Sequence, residues 1–562
     1  MGRTVAIGIQ SFEKIRRKNC FYVDKTSFIK EWWESEDEVT LITRPRRFGK
    51  TLNMSMLECF FSVDYKDRGD LFEGLSIWQE ETYRQLQGTY PVIFLSFASI
   101  KSSNFQTAKM EIYQVIVELF SKNCFLLKEG FLDGEDEEFF KSVCMQMPEY
   151  VANKAIQRLS YFLSNYYGKK VIILLDEYDT PMQEAYVNGF WDEMVSLTRS
   201  LFNATFKTNP YLERGLMTGI TRVSKESIFS DLNNPEVVTI TSDKYATSFG
   251  FTEEEVFDSL EECGLSEHKD VVKKWYDGFT FGSVSDIYNP WSILNYLSKG
   301  ELGTYWANTS SNALVSGLLR EGDRRIKTSF EQLLRGESIS CPIDEQVVYN
   351  QLGKRESAIW SLLLASGYLK VLRKERHEEV VSGYPKYELM LTNLEVKHMF
   401  EGLIHDWFGE TEGNYNEFVD ALLLGDLEAM NVYMNRVSMQ TFSYFDTGKN
   451  SLSEEPERFY HGFVLGLIVD LSKNYVVTSN RESGFGRYDV VIEPKDVNGK
   501  AFILEFKVFH PNREASLEET VQNALKQIKE KNYAANLIAK GVKEENIREY
   551  GFAFKGKTVL IG

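Results

Sequence analysis

Cysteine and histidine are scarce in this chain, with six of each in 562 residues. The cysteines (Cys20, Cys59, Cys124, Cys144, Cys263 and Cys341) are scattered, form no C-x-x-C pair and do not occur beyond Cys341. That spacing supports neither a disulfide framework nor a zinc site; it suggests reduced core thiols. Long hydrophobic runs are also missing. "VIILL" at 171–175 and "GFVLGLIVDL" at 462–471 fall far short of the roughly 20 apolar residues that span a bilayer. The N-terminus, "MGRTVAIGIQSFEKIRR", has charges where a signal peptide has its apolar core, so a soluble cytoplasmic protein is expected. Nor is there a basic excess: a net charge of −18 argues against a surface coated for nonspecific nucleic-acid binding. Residues 481–562 differ, at +2 against −20 for the remainder, which makes them the more plausible place for a nucleic-acid contact.

What is present is globular: 43% hydrophobic, 26% charged and 14% aromatic. The length suggests roughly three to four domains at about 150 residues each. Buried-strand runs "VTLIT" (39–43), "YPVIFLSF" (90–97), "VIILLD" (171–176) and "RGLMTGIT" (214–221) alternate with helical patterns over the first 250 residues. Such alternation predicts a mainly parallel sheet covered on both faces. Residues 251–445 read mostly as amphipathic helix, with a hairpin at 370–391. After the polar stretch "DTGKNSLSEEPE" (446–457), the pattern becomes α-β-β-β-α-β-β, a compact α/β unit of its own.

"RPRRFGKTLN" (44–53) follows the first strand. It ends like the phosphate-binding loop G-x-x-x-x-G-K-[ST] but has Arg44 at the first glycine position. In such loops backbone N–H groups turn toward phosphates, the lysine bridges them and the hydroxyl holds Mg²⁺. Gly49, Lys50 and Thr51 supply that half, and the helix after them adds its dipole. Pro45 lacks an N–H and holds Arg44 extended, so the loop begins rigid and cationic, with amides from Arg46 onward as cradle and the Arg46 and Arg47 charges facing phosphate. Alone, Gly-Lys-Thr can be accidental. The strand "VIILLDEYD" makes coincidence a poor account, because it ends in Asp176 and Glu177, the arrangement that places one carboxylate on Mg²⁺ and the next on the attacking water.

These residues, with "IGIQSFEKIRRKNCFYVDKTSFIKEW", "TGITRVSKESIFSDLNN" and "WYDGFTFG" followed by "IYNPWSIL", resemble the predicted AAA-type ATPase domain of a large set of microbial proteins. The resemblance spans roughly 5–295 and includes the Arg-Pro-Arg-Arg-Phe-Gly-Lys-Thr form of the loop. It implies that "LMTGITR" is a sensor strand, with Thr218 or Thr221 near the γ-phosphate and Arg222 as charge sensor. Asp24 and Lys25 read as a surface pair or as a help to the nucleotide.

Near the other end, "GRYDVVIEPKDVNGKAFILEFKV" places Asp489 at the start of one strand and Glu505 and Lys507 on one face of the next. Two carboxylates suit Mg²⁺ on a phosphodiester, and the lysine can position water or steady developing charge. The unit resembles the PD-(D/E)xK nuclease superfamily over about 450–562. The resemblance carries over onto Asp489, Glu505 and Lys507, and onto Gln527 as the helix glutamine of some members; Tyr488 stands where the name's proline would be. Glu457 and His461, one helical turn apart, read as an extra metal ligand and a phosphate contact, or as an ordinary helix-start acid and packed histidine.

The expected architecture is therefore a P-loop ATPase-like domain (1–295), a mainly helical middle (296–445) and a nuclease-like domain (446–562). The expected function is an ATPase coupled to an Mg²⁺- or Mn²⁺-dependent nuclease. Its ATP site would comprise Arg46, Arg47, Gly49, Lys50, Thr51, Asp176, Glu177 and Arg222, its metal ligands Thr51, Asp176, Asp489 and Glu505, and its partner nucleic acid, DNA favoured, with no membrane and a homo-oligomer left open. The alternative is a nucleotide-regulated switch or scaffold whose C-terminal domain binds without cleaving.

Overall fold

The runs at 39–43 and 171–176 are mostly apolar, and the structure, a computed structural model, buries both along their whole length. It describes residues 3–128, 130–222, 235–307, 313–321, 324–344, 349, 352, 355–375, 385–409, 415–441, 475–479, 482–483, 486–487, 490–496, 498–511, 513–556 and 558–562. β1 (Val39–Thr43), β2 (Val92–Ser96), β3 (Val171–Asp176), β4 (Leu212–Gly219) and β5 (Glu236–Val238) form a parallel sheet in the order β2-β3-β4-β1-β5. Alternate residues serve opposite layers: Leu41, Ile173, Leu175 and Met217 face one core, while Ile42, Ile172, Leu174 and Leu216 face the other. The helices Phe105–Lys122, Gly134–Ser142 and Glu149–Tyr167 fill the stretch between β2 and β3. Insertion of β4 between β1 and β3 sets the ends of three strands side by side, and the loop after β1 opens there.

Two small antiparallel sheets complete this part of the chain. One joins β6 (Phe251–Thr252), β7 (Phe279–Phe281) and β8 (Val284–Tyr288) in the order β6-β8-β7; the other joins β9 (Ile339–Pro342), β10 (Leu369–Lys374) and β11 (Lys386–Leu391) in the order β10-β11-β9. The hairpin expected at 370–391 is the β10–β11 pair.

The chain divides into two compact units, Met1–Arg320 with Arg335–Lys397, and Glu321–Leu334 with His398–Gly562. In the second, β12 (Tyr475–Ser479), β15 (Val490–Pro494), β16 (Ala501–Val508), β17 (Ile547–Lys555) and β18 (Thr558–Ile561) form a mixed sheet in chain order. A two-residue hairpin, β13 (Glu482–Ser483) and β14 (Gly486–Arg487), stands apart from it. Only β16 and β17 run parallel, so the helix Leu517–Glu530 must cross over between them. Along β16, Phe502, Leu504 and Phe506 face a core shared with Phe418, Leu422 and Met430 from the helices Tyr415–Leu424 and Leu427–Thr441. Ala501 and Ile503 face the opposite core, with Ile528 and Tyr533.

Candidate functional site

The loop after β1 is shaped by two left-handed residues, Arg47 at φ +67° and Gly49 at φ +83°. The helix Lys50–Phe61 starts directly after them. Among the described residues the backbone N–H groups of Arg46, Arg47, Gly49, Lys50 and Thr51 meet no acceptor. Unpaired amides at a helix N-terminus form a nest for an anion. Lys50 is 3% exposed; its Nζ donates to the carbonyls of Arg44 and Pro45, both at 3.1 Å, and lies 3.4 Å from Glu177 Oε1.

At the ends of β3 and β4 the Thr51 hydroxyl donates to Asp176 Oδ2 at 2.7 Å and the Thr218 hydroxyl to Oδ1 at 2.6 Å. Burial, and next the charge of Glu177, push the Asp176 carboxyl above the usual carboxylate range, with the two hydroxyls pulling the other way. A desolvated carboxylate beside a hydroxyl is an oxygen donor set that suits Mg²⁺. Glu177 has φ +53°, an uncommon conformation for a residue with a Cβ. The structure thus brings Lys50, Thr51, Asp176 and Glu177 together beside open amides.

Arg44 differs from the reading of a cationic loop start. It is fully buried, and its guanidinium donates to the carbonyls of Thr43 (3.0 Å), Thr239 (2.7 Å), Lys244 (3.4 Å) and Tyr245 (3.5 Å). It also lies 4.5 Å over the Phe281 ring. Burial alone draws it down to about 9. The charge is spent on carbonyls, so the cation at the loop's start faces inward and not toward a phosphate. Arg46 approaches Gln183 Oε1 at 3.5 Å, and the Arg47 guanidinium lies 4.3 Å over the Trp291 ring.

The remaining sensor-strand candidates are placed differently from one another. The Thr221 hydroxyl donates to Asp179 Oδ2 at 2.8 Å and meets the Tyr349 hydroxyl at 2.9 Å. Arg222 lines a cleft with Thr43, Thr239 and Ser361. Asp179 is the residue that spacing missed, although it is the third acid of "LLDEYD". It is fully buried, accepts from the amides of Ile220 (3.1 Å) and Thr221 (2.8 Å), and ties the end of β4 to the helix Thr180–Asn188. Lys25 is no surface residue: its Nζ is held by both Glu255 oxygens and the Thr247 carbonyl, all at 2.7 Å. Asp24 instead caps Thr26 and Ser76.

In the second unit Glu505 is 1% exposed and sits on the β16 face that meets the helix Leu517–Glu530. Gln527 Nε2 donates to Glu505 Oε1 and, at 3.2 Å, to the Tyr533 hydroxyl. Lys507, two residues along the same face, has its Nζ 3.6 Å from Glu505 Oε1. The strand register brings Val490 opposite Leu504, so the start of β15 lies at the Glu505 end of β16. Asp489 lies outside the described residues, as do Tyr488, Glu457 and His461. Elsewhere Glu253, Asp277 and Asp286 come close enough to share a cation, but Lys273 already pairs with Glu253 and with Asp286.

Comparison with known proteins finds one family match within each unit. Residues 6–229 match the family model described as "Predicted AAA-ATPase", and residues 455–562 match that of the PD-(D/E)XK nuclease superfamily. The chain is similar to a protein described as "Uncharacterized protein in vnfD 5′ region" from Azotobacter chroococcum mcd 1, 26% identical over 96% of this chain and 94% of that protein. Among solved structures it is similar to the Walker-type ATPase PABY2304 of Pyrococcus abyssi (14% identity, 68% of this chain, 97% of that one, TM-score 0.37). It is also similar to the ORC2 protein of Aeropyrum pernix in its ADPNP–ADP complexes (10% identity, 67% and 92%, TM-score 0.24). The chain carries an N-terminal domain of the predicted AAA-ATPase family and a C-terminal domain of the PD-(D/E)XK nuclease superfamily.

Proposed function

We propose that this chain hydrolyses ATP in its first unit and uses that cycle to govern Mg²⁺- or Mn²⁺-dependent cleavage of DNA in its second. The carrying observation is the convergence of Lys50, Thr51, Asp176 and Glu177 on a loop with unpaired amides. In this reading the amides from Arg46 onward and Lys50 hold the β- and γ-phosphates, with Arg46 and Arg47 adding charge and Arg222 sensing the nucleotide from the far side. Thr51 and Asp176 would hold Mg²⁺, which would neutralise charge on the transferring phosphoryl group. Glu177, released from Lys50 as the lysine turns to phosphate, orients the attacking water and takes its proton.

In the second unit Gln527 fixes one oxygen of Glu505 and leaves the carboxylate with a single orientation. Glu505 and Asp489 would hold the metal, which would supply Lewis-acid activation of the phosphodiester, and Lys507 would position the attacking water. The mild positive balance of 481–562 favours a nucleic-acid partner there. We place the protein in the cytoplasm; among the described residues no helix is long and apolar enough to cross a membrane. A homo-oligomer is compatible with this reading.

The test combines both sites. Purified protein is expected to hydrolyse ATP, with Lys50→Ala and Glu177→Gln each lowering kcat about 100-fold or more. It is also expected to nick or degrade DNA with Mg²⁺ or Mn²⁺, and Glu505→Ala with Lys507→Ala to abolish cleavage. Equal inactivity of wild type and that double variant on DNA and RNA would end the nuclease reading. The Lys50–Glu177 ion pair favours a second reading, a nucleotide-binding switch, since a paired glutamate is a poor base. Tight ATP binding without turnover selects it.

A further inference from the structure

The tip of the phosphate loop is gripped by one corner of the chain that lies beyond residues 6–229 of the ATPase family match. Asn289 Nδ2 donates to the Arg46 carbonyl at 3.2 Å, and the Trp291 ring lies beneath the Arg47 guanidinium at 4.3 Å. Phe48, between Arg47 and Gly49, sets its ring edge-on against Phe279 (4.7 Å) and Phe281 (5.3 Å). Asn289 is 1% exposed and performs two tasks at once. Its Oδ1 caps the helix Pro290–Lys299 by accepting from the amides of Trp291 (2.9 Å) and Ser292 (3.4 Å), while its Nδ2 holds the loop. A single buried amide therefore ties the first turn of the indole's helix to the loop.

Arg47 reaches that indole through an uncommon backbone, φ +67° on a residue with a Cβ. Such conformations persist where the surroundings over-determine them. Arg47 is an exposed residue, but its guanidinium is half-buried against the indole; among the described residues it has no ion-pair partner, although it feels the charges of both Arg46 and Glu177. A ring face holds a cation weakly when half-exposed, whereas a phosphate accepts a guanidinium through two charge-assisted bonds. The two sites therefore compete, and a terminal phosphate wins when it is present.

We propose that Trp291 is a positioning residue of the nucleotide site: it parks Arg47 on its ring until a terminal phosphate on the loop draws the guanidinium to the transferring phosphoryl group. This rests on the nucleotide reading above. Hydrolysis forms a bond from water oxygen to the terminal phosphorus and breaks the one to the bridging oxygen, which leaves on ADP. The water's proton passes to Glu177. Arg47 moves no proton and meets the charge that gathers on the terminal oxygens, a role that a loop without its first glycine fills from within.

Trp291 supplies its own reporter, read as the difference in emission between wild type and Trp291→Phe. That difference is expected to change with a non-hydrolysable ATP analogue and Mg²⁺, to stay unchanged with ADP, and to lose its response in Arg47→Ala. Arg47→Ala is expected to lower kcat about 100-fold while KM for ATP moves less than about threefold. Guanidinium ion added to Arg47→Ala should restore part of the rate. Arg47→Lys, which keeps the charge and guards against a folding defect, should remain slow because an ammonium cannot make the paired bonds. Equal responses to ADP and the ATP analogue, or wild-type kcat in a folded Arg47→Ala, overturns the inference. Failure of the nucleotide reading looks different: neither nucleotide then gives calorimetric binding to wild type, and Lys50→Ala changes nothing.

Discussion

Arg44 stands where a phosphate-binding loop ordinarily begins with glycine, and its neighbours show why a glycine would fail here. Four backbone carbonyls, two of them from residues 244 and 245, converge on one buried guanidinium. A group with five fixed donors can satisfy such a nest without an acidic partner. Arg44→Gly, a return to the usual motif, is therefore expected to lower stability by on the order of 4 kcal/mol and to weaken ATP binding instead of improving it. Urea unfolding and calorimetry measure both, and a folded Arg44→Gly protein with tighter ATP binding would refute the stapling role. At this scale the sequence was legible where spacing and space coincide: Gly49, Lys50 and Thr51 are consecutive, and Asp176 and Glu177 end one strand. It was illegible where partners come from afar. Asp179 meets residues 220 and 221, Thr221 meets Tyr349, and Arg47 meets Trp291, pairings that no local pattern encodes. Arg44 was legible as a charge but not in its direction.

The strands most easily read are those buried on both faces, β1 and β3, whose mostly apolar, β-branched runs need no periodicity to be seen. β5 escaped notice because it is three residues long and owes its existence to pairing with β1, almost 200 residues earlier. The helix Leu394–Gly409 shows a further limit. Its first turn carries Glu395, fully buried, which accepts from the Ser292 hydroxyl (2.7 Å) and the amides of Trp306 (2.6 Å) and Ala307 (3.4 Å). Burial outweighs these donors and raises the carboxyl to about 7 from its ordinary 4.5. A carboxyl whose folded value is raised stabilises the fold fully below its unfolded value, and loses that contribution as pH climbs through about 7. Glu395→Gln keeps an acceptor without the charge. Its stability relative to wild type is expected to rise by on the order of 3 kcal/mol between pH 5 and pH 8. Urea denaturation at the two pH values reads this directly, and a pH-independent difference would show that Glu395 is ionised throughout.

Composition places a polar break at 446–457, yet packing joins the helices before it to the sheet after it. Phe418, Leu422, Met430, Tyr433 and Met434 are all buried against strands β15 to β18. At roughly 1.5–3 kcal/mol for each large side chain, their loss amounts to about 10 kcal/mol, comparable with the whole stability of a domain. The edge of the sheet depends on the same helices. Asn431 receives the Ile561 amide and donates to the Ile561 carbonyl, both at 2.8 Å, and Asn435 does the same for Val559 at 2.9 and 2.6 Å. Two side chains thus stand in for a neighbouring strand along β18, where an uncovered edge invites pairing with another chain. A fragment of residues 446–562 is accordingly expected to aggregate or to lack a cooperative unfolding transition, despite containing every nuclease-like residue. A fragment of residues 398–562, which keeps both helices, should elute as a discrete species and unfold cooperatively. Asn431→Ala with Asn435→Ala in the full chain separates the edge from the core: self-association should rise while the thermal midpoint falls by only a few degrees. Monomeric, cooperative behaviour of 446–562 would mean that the helices merely rest on a sheet able to stand alone.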